Sequence, residues 1–199
     1  MILDYTPQGT DAWHALRVGS PGASSMDKII TSQGKRSGQR QAYMYQLAGE
    51  IIVGEKTETY RNATMDRGNE LEAEAREVFE FLHGPVEQCG VIYPDERKLW
   101  HISPDGFQSE KEQGLEIKSP LLHTHCEYLD KGKLPTKYVV QVQTSLACTG
   151  WDVWYFMSYY PGLKSLIISV ERDEKLIPLI LEAVEEFCAD LHDLVERLR

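Results

Sequence analysis

Several devices that hold proteins together or send them elsewhere are missing from these 199 residues. The four cysteines, Cys89, Cys126, Cys148 and Cys188, are scattered and form no Cys-x-x-Cys pair, so reduced thiols in a cytosolic protein are the expectation. The longest apolar runs, VWYF and the segment around LIPLIL, fall far short of the roughly 20 residues that a membrane span requires. MILDYTPQGTD carries an early acid and no basic stretch, which argues against a secretory signal. No internal repeat, low-complexity tract or interdomain linker is visible, and the length suits one domain over residues 1–199. An excess of positive charge is missing too. The formal net charge is −10, which lowers the expectation of a nucleic-acid partner without excluding one, because a basic groove can coexist with acidic outer faces.

What is present is an ordinary globular composition, 42% hydrophobic and 26% charged. Much of the acid belongs to two helical stretches, ELEAEAREVFEF and EAVEEFCADLHDLVERLR, while bases gather in GKRSGQR and YLDKGKLPTK. Helices are predicted from Ser24 or Ser25 to Ile30, from about Gln41 to Val53, and from near Asp66–Asn69 to Leu82. Strands follow in CGVIYPD, KLWHISPDG and GLEIKSP, each rich in Val, Ile, Tyr or Trp and bounded by turn residues. The valines of PTKYVVQVQTSLACTG favour strand, but Pro135, Gly150 and the Tyr138–Val142–Leu146 stripe tilt it to helix. WDVWYFMSYY and LKSLIISVE read as strands, and 173–198 as a helix with Ile177, Ile180, Val184, Phe187, Leu191 and Val195 on one side. The order implies an α/β fold with a mixed sheet flanked by helices.

One stretch carries chemistry. In SPDGFQSEKEQGLEIKSP, alternation along a strand puts Glu116 and Lys118 on one face, with Leu115 and Ile117 on the other, toward the core. A hairpin can bring Asp105, in its Pro-Asp-Gly turn, beside Glu116. Two carboxylates held close repel each other, and a divalent cation satisfies both. Hard oxygen ligands suit Mg2+ or Mn2+, with water positions left open for a phosphate oxygen and an attacking hydroxide. Lys118 could then help deprotonate that water or stabilise transition-state charge. A hairpin with a surface salt bridge between its arms shows the same spacing, so spacing alone does not decide.

The pattern Pro104-Asp105…Glu116-x-Lys118 resembles the signature of PD-(D/E)xK nucleases. DAWHALRVG, RSG, RGNELEAEAREVFEF, VIYPDE, SPDG, LEIKSP, QVQ, WYF and ERDEK extend the match, in order, to the lambda-exonuclease-like, YqaJ-type viral recombinase family. That resemblance covers nearly the whole chain and implies a restriction-endonuclease-like core. It implies that Asp105 and Glu116 ligate Mg2+ with the Ile117 carbonyl, and that Lys118 is the catalytic lysine. Glu72 matches an additional acid near the metals, although a solvated face of its glutamate-rich helix would read the same way. Asp95 falls on an acidic family position, and VIYPDERK serves equally as a plain turn. Gln141 matches a glutamine that contacts the site or DNA; a surface helix would also carry one. Arg17, Ser24 and Arg36 match positions that bind a 5′-terminal phosphate, a task suited to the permanently charged fork of arginine. The chain departs at Gly22, where a member of that family carries Thr, and any contact from that hydroxyl is lost.

The resemblance therefore implies a Mg2+-dependent deoxyribonuclease, with Mn2+ able to substitute. It would digest duplex DNA processively from 5′ to 3′, releasing mononucleotides and leaving a 3′ single-stranded tail for phage-type recombination. It also implies a homotrimeric ring around the DNA, a single-strand annealing partner, and a phage or prophage protein in a bacterial cytoplasm. The alternatives are a structure-specific or restriction-type endonuclease on the same core, and a non-catalytic DNA-binding recombination subunit. His123 and His125 alternate in LLHTHC, but without a third soft ligand nearby no zinc site is expected. Trp13 reads as core, with the DNA path as its alternative, and Trp151–Tyr155 as a buried strand.

Overall fold

Alternation and helical periodicity have their consequence in a four-stranded sheet with helices against both faces. In the computed structural model, the backbone is described for residues 1–57 and 63–199, and the side chains for the same residues apart from 63–66, 68 and 69. The elements are β1 (Ile2–Asp4), α1 (Asp11–Leu16), a 3₁₀ segment (Ala23–Lys28), α2 (Arg40–Val53), α3 (Ala63–His83), β2 (Val91–Tyr93), β3 (Gly106–Gln108), β4 (Gln113–Lys118), α4 (Leu122–Lys131), α5 (Thr136–Thr149), β5 (Val153–Ser158), β6 (Leu166–Glu171) and α6 (Leu176–Leu198). The sheet order is β3-β4-β5-β6; β4 and β5 are parallel, and the other two pairings are antiparallel. The mixed sheet flanked by helices expected of this sequence is therefore present.

Strand alternation sorts the two faces. Leu115 and Ile117 of β4 pack with Ala75 and Phe79 of α3 and with Met157 of β5. Glu116 pairs with Phe156 in register and shares the opposite face, where Tyr138 of α5 lies 5.1 Å from Phe156 between ring centroids. On that side Met26, Leu47, Leu146, Trp154, Val184 and Phe187 form the larger core, each side chain contributing about 1.5–3 kcal/mol by leaving water. The α6 stripe is buried as its periodicity predicts, from Ile177 to Val195. Asp173 accepts from the Lys175 and Leu176 N–H groups at the start of α6, and Pro178 sits in the first turn, where no donor is missed.

The structure revises several predicted elements. KLWHISPDG is not a strand; His101 and Ile102 make only single bridges, to Gly22 and Ile92. VIY pairs with the N-terminal strand as a separate two-stranded ribbon. The segment after Ser24 winds as a 3₁₀ helix, α3 begins at Ala63, and LHTHC lies on the helix α4. No helix among the described residues is long and apolar enough to cross a membrane.

Candidate active site

The antiparallel β3–β4 pair delivers the motif. Its register places Gly106 opposite Leu115, so Asp105 arrives one step beyond the strand, beside Glu116. The Asp105 N–H donates to the Leu115 carbonyl at 3.2 Å. One residue further, the Asp105 carboxylate replaces the next rung of the ladder and accepts from the Ile117 N–H at 2.6 Å. A residue in an extended strand directs its own N–H and C=O to the same edge, so the Ile117 carbonyl also faces this side. Glu116 is 3% exposed, and the Lys118 ammonium pairs with its carboxylate.

This geometry concentrates charge of one sign. Burial, with repulsion from Glu116 and Glu72, pushes the Asp105 carboxyl well above its ordinary range, while Lys118 pulls the other way. Burial alone would lower the Lys118 ammonium, but Glu116 and Asp105 outweigh it and hold the value above that of a free lysine. Glu72 is raised by burial as well. Among the described residues no three His, Cys, Asp or Glu side chains come together as a metal cage. The oxygens of Asp105, Glu116 and Ile117 nevertheless form an open, hard set of the kind that leaves several coordination positions to water, as Mg2+ prefers.

Arg76, one turn along α3 from Glu72, was not singled out in the sequence. Its Nε donates to the Asp105 carbonyl at 2.9 Å, and its guanidinium pairs with Glu72. It ties the helix to the motif turn. The legible signal was the i,i+4 spacing of a glutamate and an arginine, which alone indicates only a surface pair. Gln8 secures the same turn by donating to the Pro104 and Cys89 carbonyls, both at 2.9 Å.

A cleft of about 600 Å³ runs from these groups to the N-terminal segments. Asp105, Glu116, Ile117, Lys118, Glu72, Arg17, Ser24 and Gln141 all line it. Arg17 lies 3.9 Å over the Trp13 ring, and Trp13 in turn donates from its indole to the Gly90 carbonyl, so Trp13 lines the cleft wall. Ser24 is exposed on the 3₁₀ segment, and Gln141 is half-buried on α5. The hydroxyls of Ser103 and Ser119, also in the lining, are buried without a partner among the described residues. Outside this lining, burial first and then the Arg17 charge draw the Lys56 ammonium down to about 8.

Two expected residues are elsewhere. Arg36 lines a separate cavity with Arg40, Asp190 and Arg197, and lies 4.0 Å from Glu186. Its loop turns back toward α6, where Gly34 meets Leu179. Asp95 occupies an exposed turn, paired with Arg97, which also reaches Glu185. The turn reading of VIYPDERK describes its place, with Lys98 at a left-handed φ of 52° closing it. His125 is buried on α4 between the Ser158 hydroxyl at 2.8 Å and the Lys164 carbonyl at 3.0 Å, a structural tie. The cysteines are all free, and burial pushes the Cys89 thiol up to about 12.

Residues 12–152 match the model of the YqaJ-like viral recombinase domain family. The chain is similar to an alkaline exonuclease from Laribacter hongkongensis, with 33% identity, 95% of this chain and 96% of that one covered, and a TM-score of 0.85. The structure of that exonuclease in complex with dAMP matches equally well. A phage-related exonuclease from Haemophilus somnus shares the fold at 17% identity, with 90% of this chain and 96% of that one covered and a TM-score of 0.73. No protein of curated function matches the chain.

Proposed function

Since this chain belongs to the YqaJ-like viral recombinase domain family, we propose that it is a metal-dependent 5′→3′ exonuclease acting on double-stranded DNA ends. One observation carries the reading: a carboxylate pair with its lysine and an arginine stacked on a tryptophan line the same cleft. The first set suits phosphodiester hydrolysis, and the second suits a terminal phosphate. The deoxynucleoside monophosphate held by the Laribacter relative is the class of product such digestion releases.

Asp105, Glu116 and the Ile117 carbonyl would hold Mg2+, or Mn2+ in its place. When bound, the ion supplies a Lewis acid and lowers the pKa of a coordinated water. The residues do the rest. The Ile117 N–H fixes one Asp105 oxygen, and Arg76 holds the Asp105 main chain, so the carboxylate is pre-positioned. Lys118, paired with Glu116 at the cleft, is suited to stabilise charge on the scissile phosphate. Glu72 adds negative charge on the α3 side, restrained by Arg76. Arg17 and Ser24 would receive the 5′ phosphate, and Gln141 would contact the strand from α5.

Contacts to phosphate make the activity independent of sequence. A homotrimeric ring around the duplex would add processivity, and the 3′ tail would pass to a single-strand annealing protein in phage-type recombination. The test is linear duplex DNA labelled at either 5′ or 3′ ends, with and without Mg2+. Early release of the 5′ label as mononucleotide, only with metal, is expected. Early release of the 3′ label would reverse the polarity, and cleavage of a closed circular duplex would favour an endonuclease. Metal-independent DNA binding without any hydrolysis would leave a non-catalytic recombination subunit.

A further inference from the structure

His101 is a buried side chain in the wall of the cleft that the catalytic scheme does not use, 1% exposed and fully engaged. Arg17 Nε lies 3.2 Å from His101 Nε2. An arginine Nε–H only donates, so His101 Nε2 must accept, and the ring proton resides on Nδ1. That Nδ1–H faces the Ser20 hydroxyl at 3.0 Å, whose own proton is directed to the Leu99 carbonyl at 3.3 Å. Every donor in the chain therefore has an acceptor in only one arrangement, with His101 neutral. Burial and the neighbouring charges of Arg17 and Lys56 work in the same direction, holding the imidazole well below its ordinary pKa.

Gly22 leaves room for the ring. A Cβ there would lie 3.0 Å from His101 Nε2 and 3.4 Å from Cε1, and the ring would have to give by a few tenths of an ångström. The backbone of His101 is clamped independently: its N–H donates to the Pro21 carbonyl at 3.1 Å, and its carbonyl accepts from the Ala23 N–H at 3.0 Å. Imidazole position is thus set by main-chain bonds on one side and by Ser20 on the other. Arg17 is then gripped twice, by the Trp13 face beneath its guanidinium and by His101 at Nε. Among the described residues no carboxylate forms an ion pair with it. Among the described residues its two Nη groups donate to no protein acceptor, so their four N–H bonds are available to a ligand in the cleft.

We propose that His101 is the positioning residue for Arg17: its neutral, Nδ1-protonated imidazole aims the guanidinium at the 5′-terminal phosphate of the DNA. This rests on the assignment of that end of the cleft to a terminal phosphate. A long side chain with many rotamers loses affinity when it must be ordered at the moment of binding, and a pre-formed contact removes that cost. The substrate feature at stake is a phosphate monoester at the end of the strand, as distinct from a 5′ hydroxyl.

The experiment combines a spectroscopic reading with end preference. Nitrogen-15 NMR of the intact protein at neutral pH should show His101 protonated on Nδ1 and bare on Nε2. A proton on Nε2 overturns the contact. The rate ratio for 5′-phosphorylated over 5′-hydroxyl duplex ends should fall in His101→Phe about as far as in Arg17→Ala. The expected loss is about tenfold, the scale of one charge-assisted hydrogen bond. Arg17→Ala combined with His101→Phe should lower the ratio no further than Arg17→Ala alone. His101→Gln, whose amide oxygen can accept from Arg17, should restore most of it, and serves if the Phe variant folds poorly. Equal slowing on both kinds of end in both His101 variants, or additive losses in the double variant, would overturn the assignment. If Arg17→Ala itself leaves the ratio unchanged while the Nδ1 tautomer is observed, the contact stands and the phosphate end of the cleft is what fails.

Discussion

Asp105 and Glu116 are neighbours because backbone bonds hold them there, against the repulsion of their own charges. The Ile117 N–H and the Arg76 guanidinium hold the Asp105 segment in place, while the raised Asp105 pKa records the electrostatic cost. A carboxyl whose folded pKa exceeds its unfolded one is most favourable when protonated, so charged Asp105 lowers stability at neutral pH. Without divalent ions, Asp105→Asn should raise stability, read as an upward Tm shift, while abolishing hydrolysis. Mg2+ at about 100 times its Kd should stabilise the parent by about 2.7 kcal/mol and the Asn variant far less. An unresponsive parent Tm would speak against an ion at these oxygens. Lys118→Ala should stop cleavage yet keep most of that Mg2+ response, since it removes an ammonium and leaves the oxygens. For His101 the sign is opposite. Its folded pKa lies below the unfolded value of about 6.5, so its contribution is present above that pH and is lost as pH falls below it. The parent Tm should decline below pH 6.5 more steeply than that of His101→Gln, measured in the same buffers.

At the scale of elements, the motif strand depends on what lies beneath it. Gly114 opens the apolar part of β4, and a Cβ there would overlap the six-membered ring of Trp154 on β5. The glycine lets the indole lie flat across the strand, and Trp154 is fully buried in the larger core. Gly114→Ala should therefore destabilise by about 1–3 kcal/mol through overpacking, seen in urea unfolding as a lower midpoint with an unchanged slope. On the other face, α3 supplies packing and chemistry from one helix: Ala75 and Phe79 meet the sheet, while Glu72 lines the cleft and Arg76 holds the Asp105 carbonyl. The stripe and the acids were legible as a period in the sequence. Arg76 was not, because its partner, the Asp105 carbonyl, lies 29 residues away and carries no signature.

For the whole molecule, a net charge of −10 is compatible with a DNA substrate because the charge is unevenly placed. α6 turns Glu182 and Glu186 outward, whereas in the cleft Arg17, Lys118 and Lys137 balance Glu72, Asp105 and Glu116. Binding through phosphates should weaken with salt, so raising NaCl from 50 to 200 mM should cut DNA affinity on both AT-rich and GC-rich duplexes alike. Fluorescence anisotropy in Ca2+, which need not support cleavage, would measure this. A strong difference between the two sequences would contradict phosphate-led recognition.

The sequence by itself determined the motif, its strand and the faces of its helices. Local rules govern these: alternation puts Glu116 with Lys118, a hairpin returns Asp105 across 12 residues, and a 3.6-residue period buries one side of α6. Resemblance assigned Arg17, Ser24, Arg36 and Asp95 to functional positions, with a plain turn as the alternative for Asp95. Only the tertiary structure separated them, bringing Arg17 and Ser24 into the cleft and leaving Arg36 beside Glu186 and Asp95 in its turn. It alone brought His101 to Arg17, across 84 residues. Contacts of that range depend on how whole elements pack and where their connecting loops are clamped, and no periodicity in the chain encodes them.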